Sequence, residues 1–155
     1  MYNQNANTAY EENRNTCKRI VEGIELYTDG NGYKCPNCGE VHSFEEYAQT
    51  EHQDESGNTC YTCPNCSEDI EENELEAVSV YDYFERELFD IEYRIDGSRE
   101  YRSVCAMIAC GGPNIYIDTA AKAVVLRWWG EGAEYPLSYD AVEAIDQYFE
   151  ECFNI

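Results

Sequence analysis

Basic residues are scarce: 10 Lys and Arg stand against 32 Asp and Glu, for a net charge of −22 over 155 residues. Between Lys34 and Arg86 there are none. Binding to nucleic acid rests on Lys and Arg neutralising phosphates, and an anionic membrane surface selects the same residues, so direct contact with either is excluded. Long apolar runs are also missing. The longest, Val104 to Cys110, is far too short to cross a bilayer, and Met1-Tyr2-Asn3-Gln4-Asn5 has neither the basic flank nor the apolar stretch of a secretory signal. A soluble, cytoplasmic protein is expected. Histidine occurs twice, at His42 and His52. No glycine-rich phosphate loop, Ser-His-Asp set or carboxylate metal motif accompanies the many acids, so no enzymatic activity is expected.

Apolar residues make up 43% of the chain and aromatic residues 14%, enough for one domain or two small ones. Nine cysteines would suit a secreted disulfide scaffold, but the number is odd and four of them form two Cys-x-x-Cys pairs. Cys35-Pro36-Asn37-Cys38 and Cys63-Pro64-Asn65-Cys66 repeat one short motif. Each tight turn can aim two sulfurs at one ion, and two turns complete a tetrahedral zinc site. Cys35, Cys38, Cys63 and Cys66 are therefore the expected ligands of a structural Zn2+. Cys60 offers a competing register with Cys63, and His42 or His52 could replace one sulfur; the repeated Pro-Asn insert favours the four named. Catalytic zinc needs an open coordination position, which four thiolates do not leave. The His-x-Glu and Pro-Cys-x-x-Cys pattern of nucleobase deaminases is not met either.

Along the chain, Thr8 to Ile24 reads as a helix with Cys17, Ile20, Val21 and Ile24 on one face, ended by Asp29-Gly30-Asn31-Gly32. Two cysteine turns follow, separated by a short element at Phe44 to Ala48 and a polar loop. Ser67 to Phe89 reads as mostly helical, with Ser67 as N-cap and acids in the first turns. Ile91, Tyr93 and Ile95 alternate with Glu92, Arg94 and Asp96, and Asp96-Gly97 signals a hairpin, so strands at about 90–96 and 100–109 should pair. Two further strands fall at Asn114 to Asp118 and Ala123 to Trp129. Ser138 caps a last helix with Val142, Ile145, Phe149 and Cys152 at helical spacing. The expected fold is α+β: a four-stranded antiparallel sheet packed by helices, with a four-cysteine zinc-ribbon-like lobe. The expected organisation is 1–32, N-terminal tail and helix; 33–78, acidic zinc-binding lobe; and 79–155, α+β domain. Cys17, Cys105 and Cys152 read as core residues, and Cys110 as a buried thiol at a glycine turn. Trp128 and Trp129 read as one core ring and one either packed or exposed.

Residues 35–78 carry 12 acids and no base, so the acidic and metal-binding segments coincide. Glu68, Asp69, Glu71, Glu72 and Glu74 follow the second turn and are the expected contacts to a basic protein partner. A compact chain of this length is about 40 Å across. Duplex DNA of that length carries about 23 charges, comparable to this chain's own.

The twin Cys-Pro-Asn-Cys turns occur here with Cys110-Gly111-Gly112-Pro113-Asn114-Ile115-Tyr116-Ile117-Asp118-Thr119, Trp128-Trp129-Gly130 and Tyr135-Pro136-Leu137-Ser138. In this combination the chain resembles small acidic proteins of phages and mobile elements, and among them the zinc-containing anti-CRISPR proteins that inhibit type II CRISPR nucleases. The resemblance covers residues 33–155, with the cysteine pairs as its specific motifs. It implies a non-catalytic inhibitor in the bacterial host cytoplasm that binds a guide-RNA-directed nuclease and blocks target DNA loading; such nucleases hold their heteroduplex in a positively charged channel. The alternatives are an antirestriction DNA mimic, a zinc-ribbon adaptor for a basic subunit of the transcription machinery, and last a metalloenzyme.

Overall fold

The structure, a computed structural model, describes residues 4–155. It opens with helix α1, Gln4–Thr28, which buries Cys17, Val21 and Ile24 along one stripe. Two compact units follow from the contacts within the chain: Leu26–Tyr83 forms one, and α1 up to Glu25 joins Phe84–Ile155 in the other.

In the Leu26–Tyr83 unit, strand β1 (Gly32–Lys34) pairs antiparallel with β2 (Val41–Ser43), and the first cysteine turn lies between them. Helix α2, Phe44–Ala48, starts on a capping box: the Ser43 N–H donates to Glu46 Oε2 (2.9 Å) and the Glu46 N–H donates to Ser43 Oγ (3.3 Å). Strand β3 (His52–Gln53) then pairs with β4 (Thr59–Thr62), and β4 pairs across the second cysteine turn with β5 (Asp69–Glu71). A 3-10 turn at Glu72–Glu74, strand β6 (Glu76–Ala77) beside β1, and helix α3 (Val80–Tyr83) complete the unit. Its sheets run β2-β1-β6 and β3-β4-β5.

The repeat extends well past the cysteines. Ser43 and Glu71 occupy matching positions, as do Glu46 and Glu74, and in both copies the second residue's carboxylate accepts from the first one's N–H. Gly32 has no room for a side chain: a Cβ there would strike the Leu26 carbonyl oxygen, so only glycine lets β1 leave the end of α1 at this angle.

The expected helix from Ser67 to Phe89 is not formed. Ser67 sits at φ 63, closing the second turn, and its N–H donates to the Cys63 carbonyl (2.9 Å). The Cys63 N–H in turn takes the Glu68 carbonyl (2.9 Å), which directs residues 69–71 into a hairpin and buries Ile70. Strand pairing thus overrides the helical pattern of the acids.

In the other unit, strands β7 (Asp90–Ile95), β8 (Tyr101–Ala109), β9 (Asn114–Asp118), β10 (Ala123–Trp128) and β11 (Glu131–Pro136) form one antiparallel meander, ordered β11-β10-β9-β8-β7. The sheet therefore has five strands, not the four expected. Gly130, Gly132 and Pro136 resemble strand breakers, but they fall in the hairpin turn, on the sheet edge and at the strand end, where such residues are tolerated. Tyr135, Val124, Ile117, Ala106 and Ile91 lie opposite one another as a row across all five strands, with Val124, Ile117 and Ala106 fully buried.

Helix α4, Tyr139–Phe153, is capped by Ser138 and buries Ala141, Ile145 and Phe149 against the sheet. Cys152 is exposed, because the buried stripe runs through Ala141 at four-residue steps. Tyr101 Oη donates to Asp146 Oδ1 (2.5 Å), tying β8 to α4. The remaining cysteine expectations divide: Cys17 is buried, Cys105 half-buried and Cys110 exposed. On the opposite sheet face, Arg94 clamps Asp118 with two hydrogen bonds of 2.8 and 3.0 Å, bridging β7 to β9 over β8.

Candidate metal centre

The two turns have the same backbone geometry. In each, the first cysteine's N–H donates to the carbonyl of the glutamate five residues on, Glu40 or Glu68 (2.9 Å). Its carbonyl accepts from the residue four positions on, Gly39 (3.0 Å) or Ser67 (2.9 Å). That residue is left-handed in both copies, at φ 79 for Gly39 and φ 63 for Ser67.

The turns bring together Cys35, Cys38, Cys63 and Cys66, all of whose sulfurs lie within 4.8 Å of one another. Cys35 and Cys66 Sγ are 3.8 Å apart, as are Cys38 and Cys63 Sγ. A disulfide needs about 2.05 Å. A tetrahedron with metal–sulfur bonds of about 2.3 Å has edges of about 3.8 Å, which is the spacing of both pairs. The four cysteines therefore fit a single tetrahedral ion and could hold one. Among the described residues no other group of three or more His, Cys, Asp or Glu side chains is gathered closely enough to do so.

The thiols are not equivalent. Asn37 Nδ2 donates to Cys66 Sγ across 3.4 Å, and with the backbone N–H of Glu68 it lowers the Cys66 thiol to about 7. Cys38 is lowered by the backbone N–H of Glu40 and by the Asn65 side chain. Each asparagine therefore supports the last cysteine of the opposite turn. Burial pushes Cys63 up to about 12. These outer contacts orient sulfurs and favour thiolate, as second-layer groups do around metal sites. The two asparagines are members of the candidate site that residue-type reasoning passed over, although the doubled Pro-Asn insert was the visible signal.

Cys35 and Cys63 also belong to the small core of this unit, with Tyr47, Tyr61 and Ile70. Tyr47 donates to the Tyr33 carbonyl (3.4 Å), and burial holds its hydroxyl in the protonated form. The alternative ligands are placed elsewhere. Cys60 Sγ faces the Asn58 carbonyl (3.7 Å), His52 Nδ1 lies 2.9 Å from the Thr50 carbonyl, and His42 Nδ1 lies 3.7 Å from Glu46 Oε2.

The five acids expected to contact a partner lie in one stretch of the same unit and are all exposed. Glu68 follows the second turn, Asp69 and Glu71 flank buried Ile70 on β5, and Glu72 and Glu74 lie in the 3-10 turn. Asp69 also accepts from Thr62 Oγ1 (3.0 Å), and Glu74 accepts from the Glu71 N–H (3.1 Å). Among the described residues of this unit, no Lys or Arg forms an ion pair with a carboxylate; the nearest ring nitrogens are those of His42, 3.7 Å from Glu46, and His52, 3.6 Å from Asp69.

Neither tryptophan is core. Trp128 is 40% exposed and packs against Gly112, while Trp129, at φ 50 in the β10–β11 turn, is 86% exposed. An open groove of about 530 Å³ beside them is lined by Asn114, Arg127 and residues 128–132. No helix among the described residues is long and apolar enough to cross a membrane. Comparison with known proteins finds no matching family model, no matching curated protein and no matching solved structure.

Proposed function

We propose that the chain is a non-catalytic binding protein in which structural zinc, held by Cys35, Cys38, Cys63 and Cys66, shapes an acidic surface that engages a basic protein channel. The observation that carries this reading is the exposure of Glu68, Asp69, Glu71, Glu72 and Glu74 in one stretch beside the second cysteine turn. Surface carboxylates without Lys or Arg partners keep most of their field, which speeds encounter with a cationic partner and discourages others. Together with the resemblance to zinc-containing anti-CRISPR proteins, this makes the favoured target the nucleic-acid channel of a guide-RNA-directed type II nuclease, whose loading with target DNA the protein would block.

The test is inhibition of DNA loading by such nucleases, comparing the native protein with a variant carrying Glu68→Gln, Asp69→Asn, Glu71→Gln, Glu72→Gln and Glu74→Gln. These changes remove charge while keeping hydrogen-bonding capacity at Asp69 and Glu74. The association rate should fall by about tenfold or more, and its dependence on salt should flatten. Inhibition indifferent to both charge and salt would place the contact elsewhere. No inhibition across a panel of such nucleases would remove the target assignment.

A further inference from the structure

β7 is one of the two edge strands of the five-stranded sheet, β11 being the other. Edge strands in natural proteins are usually guarded by charged side chains, lysine above all, by proline, a bulge or a cover, because their free N–H and C=O groups invite another strand. The charges of β7, Asp90, Glu92 and Arg94, are of both signs and so can pair instead of only repelling. β7 has neither proline nor lysine. Its one irregularity belongs to the neighbour: Arg94 lies opposite Ser103 and Ile95 opposite Tyr101, which leaves Arg102 as the extra residue on β8. The strand and its approach also expose apolar side chains, with Phe89 at 52%, Ile91 at 40% and Ile95 at 48%.

We propose that β7 pairs antiparallel with β7 of a second copy of this chain, joining two five-stranded sheets into one. A twofold axis makes such a contact self-complementary, so the charge pattern of the strand can be tested against itself. Residues opposite each other in a sheet share a face, which limits the registers to those matching odd with odd and even with even positions. Centring the axis on Glu92 sets two carboxylates face to face, and centring it on Arg94 sets two guanidinium groups face to face; like charges directly opposite are destabilising. Centring it on Tyr93 avoids both at the middle of the contact; the like pair it does bring together, Asp90 with Asp96 of the partner subunit, falls at the ends, where Asp96 is already paired with Arg102. Tyr93 then meets Tyr93 of the partner subunit, Ile91 meets Ile95 of the partner subunit, and Glu92 meets Arg94 of the partner subunit, each of the last two pairs occurring twice. Both terminal nitrogens of Arg94 are held by Asp118 across β8, on the side away from the edge, which leaves its Nε, 3.9 Å from its own Glu92, as the donor for Glu92 of the partner subunit. The apolar row Ile91, Tyr93 and Ile95 would continue across the junction.

Against this stands the repulsion of two chains of −22 each. Salt screens that repulsion over about 8 Å at physiological strength, whereas strand pairing and apolar contact are nearly indifferent to it. A contact of five residue pairs is small, so a dissociation constant on the order of 100 μM is expected. The inference goes beyond the proposed function and does not rest on it.

Sedimentation of the 155-residue chain with zinc supplied tests the proposal over a range of concentration and salt. A reversible dimer should form and should strengthen as salt rises. Glu92→Lys, at an exposed position, should weaken it at least tenfold by placing a cation opposite Arg94. In the native protein, amides of residues 91–95 should exchange more slowly as concentration rises, a readout that needs no variant. A monomer at about 1 mM in high salt would overturn the proposal. So would a dimer that weakens with salt, one unaffected by Glu92→Lys, or one that leaves those amides unprotected.

Discussion

Asn37 and Asn65 are small residues with a large assigned role. Asn37 Nδ2 reaches Cys66 Sγ from the other turn, and Asn65 reaches Cys38 in the same way, so each turn stabilises the thiolate of its twin. A metal ion would compete with protons for these sulfurs, and a thiol near 7 gives up its proton at little cost. In Asn37→Ala the Cys66 thiol should rise toward its ordinary value, and metal affinity should drop by about 10–100-fold, measured by competition with a chromophoric chelator. The loss should grow as pH falls, since more of the thiol is then protonated. Affinity unchanged at pH 6 would show the amide to be a spectator. At this scale the ligands were legible because Cys-x-x-Cys has few other uses in such a chain. Ser67 was not: a serine before acids resembles a helix cap, and only its match to Gly39 reveals the left-handed position.

Among the elements, the meander was legible because β7 to β10 each carry alternation or β-branched residues between clear turn signals, and α4 because Ser138 precedes a helical stripe. β1 to β6 were not, at two to four residues each; β1–β2 and β4–β5 depend on pairing across the cysteine turns, and β3 and β6 on pairing with β4 and β1, which pattern alone does not place. β11 was hidden by Gly132 within it and by Gly130 and Pro136 at its ends. The Arg94–Asp118 clamp, which no pattern showed, gives this sheet an acid dependence. Hydrogen bonds from Arg94 hold the Asp118 carboxyl below the usual carboxylate range against the opposing effect of burial. A carboxyl depressed in the folded state stabilises above its unfolded pKa and loses that contribution as pH falls through the folded value. Asp118→Asn should therefore cost about 1 kcal/mol at pH 7, the half-exposed guanidinium being partly screened, and the difference from the native protein should vanish in strong acid. Denaturant melts at pH 7 and pH 2 give both numbers; an equal loss at the two pH values would mean the change acts through packing instead of charge.

The whole molecule divides its stability between two kinds of interior. The unit built on the five-stranded sheet buries Val104, Ala106, Ile117, Val124, Leu126, Ile145 and Phe149 together with the α1 stripe, an ordinary apolar core. The Leu26–Tyr83 unit gathers a cluster of five buried residues, two of them candidate metal ligands. Its surface adds the exposed acids of residues 35–78, whose mutual repulsion works against compaction. Structural zinc contributes on the order of 10–16 kcal/mol near neutral pH, enough to decide the state of such a unit. Chelation should therefore unfold Leu26–Tyr83 selectively. Hydrogen exchange on the full chain should show amides of β1, β2, β4 and β5 losing protection after metal removal, while those of β8, β9 and β10 keep it. Return of about one equivalent of zinc should restore them, and Cys35→Ser or Cys66→Ser should reproduce the chelated pattern. Protection that survived complete metal removal in β4 and β5 would mean that Tyr47, Tyr61 and Ile70 suffice as a core. The acidic surface would then owe its shape to packing, and the inhibitor proposal would have to stand without the metal.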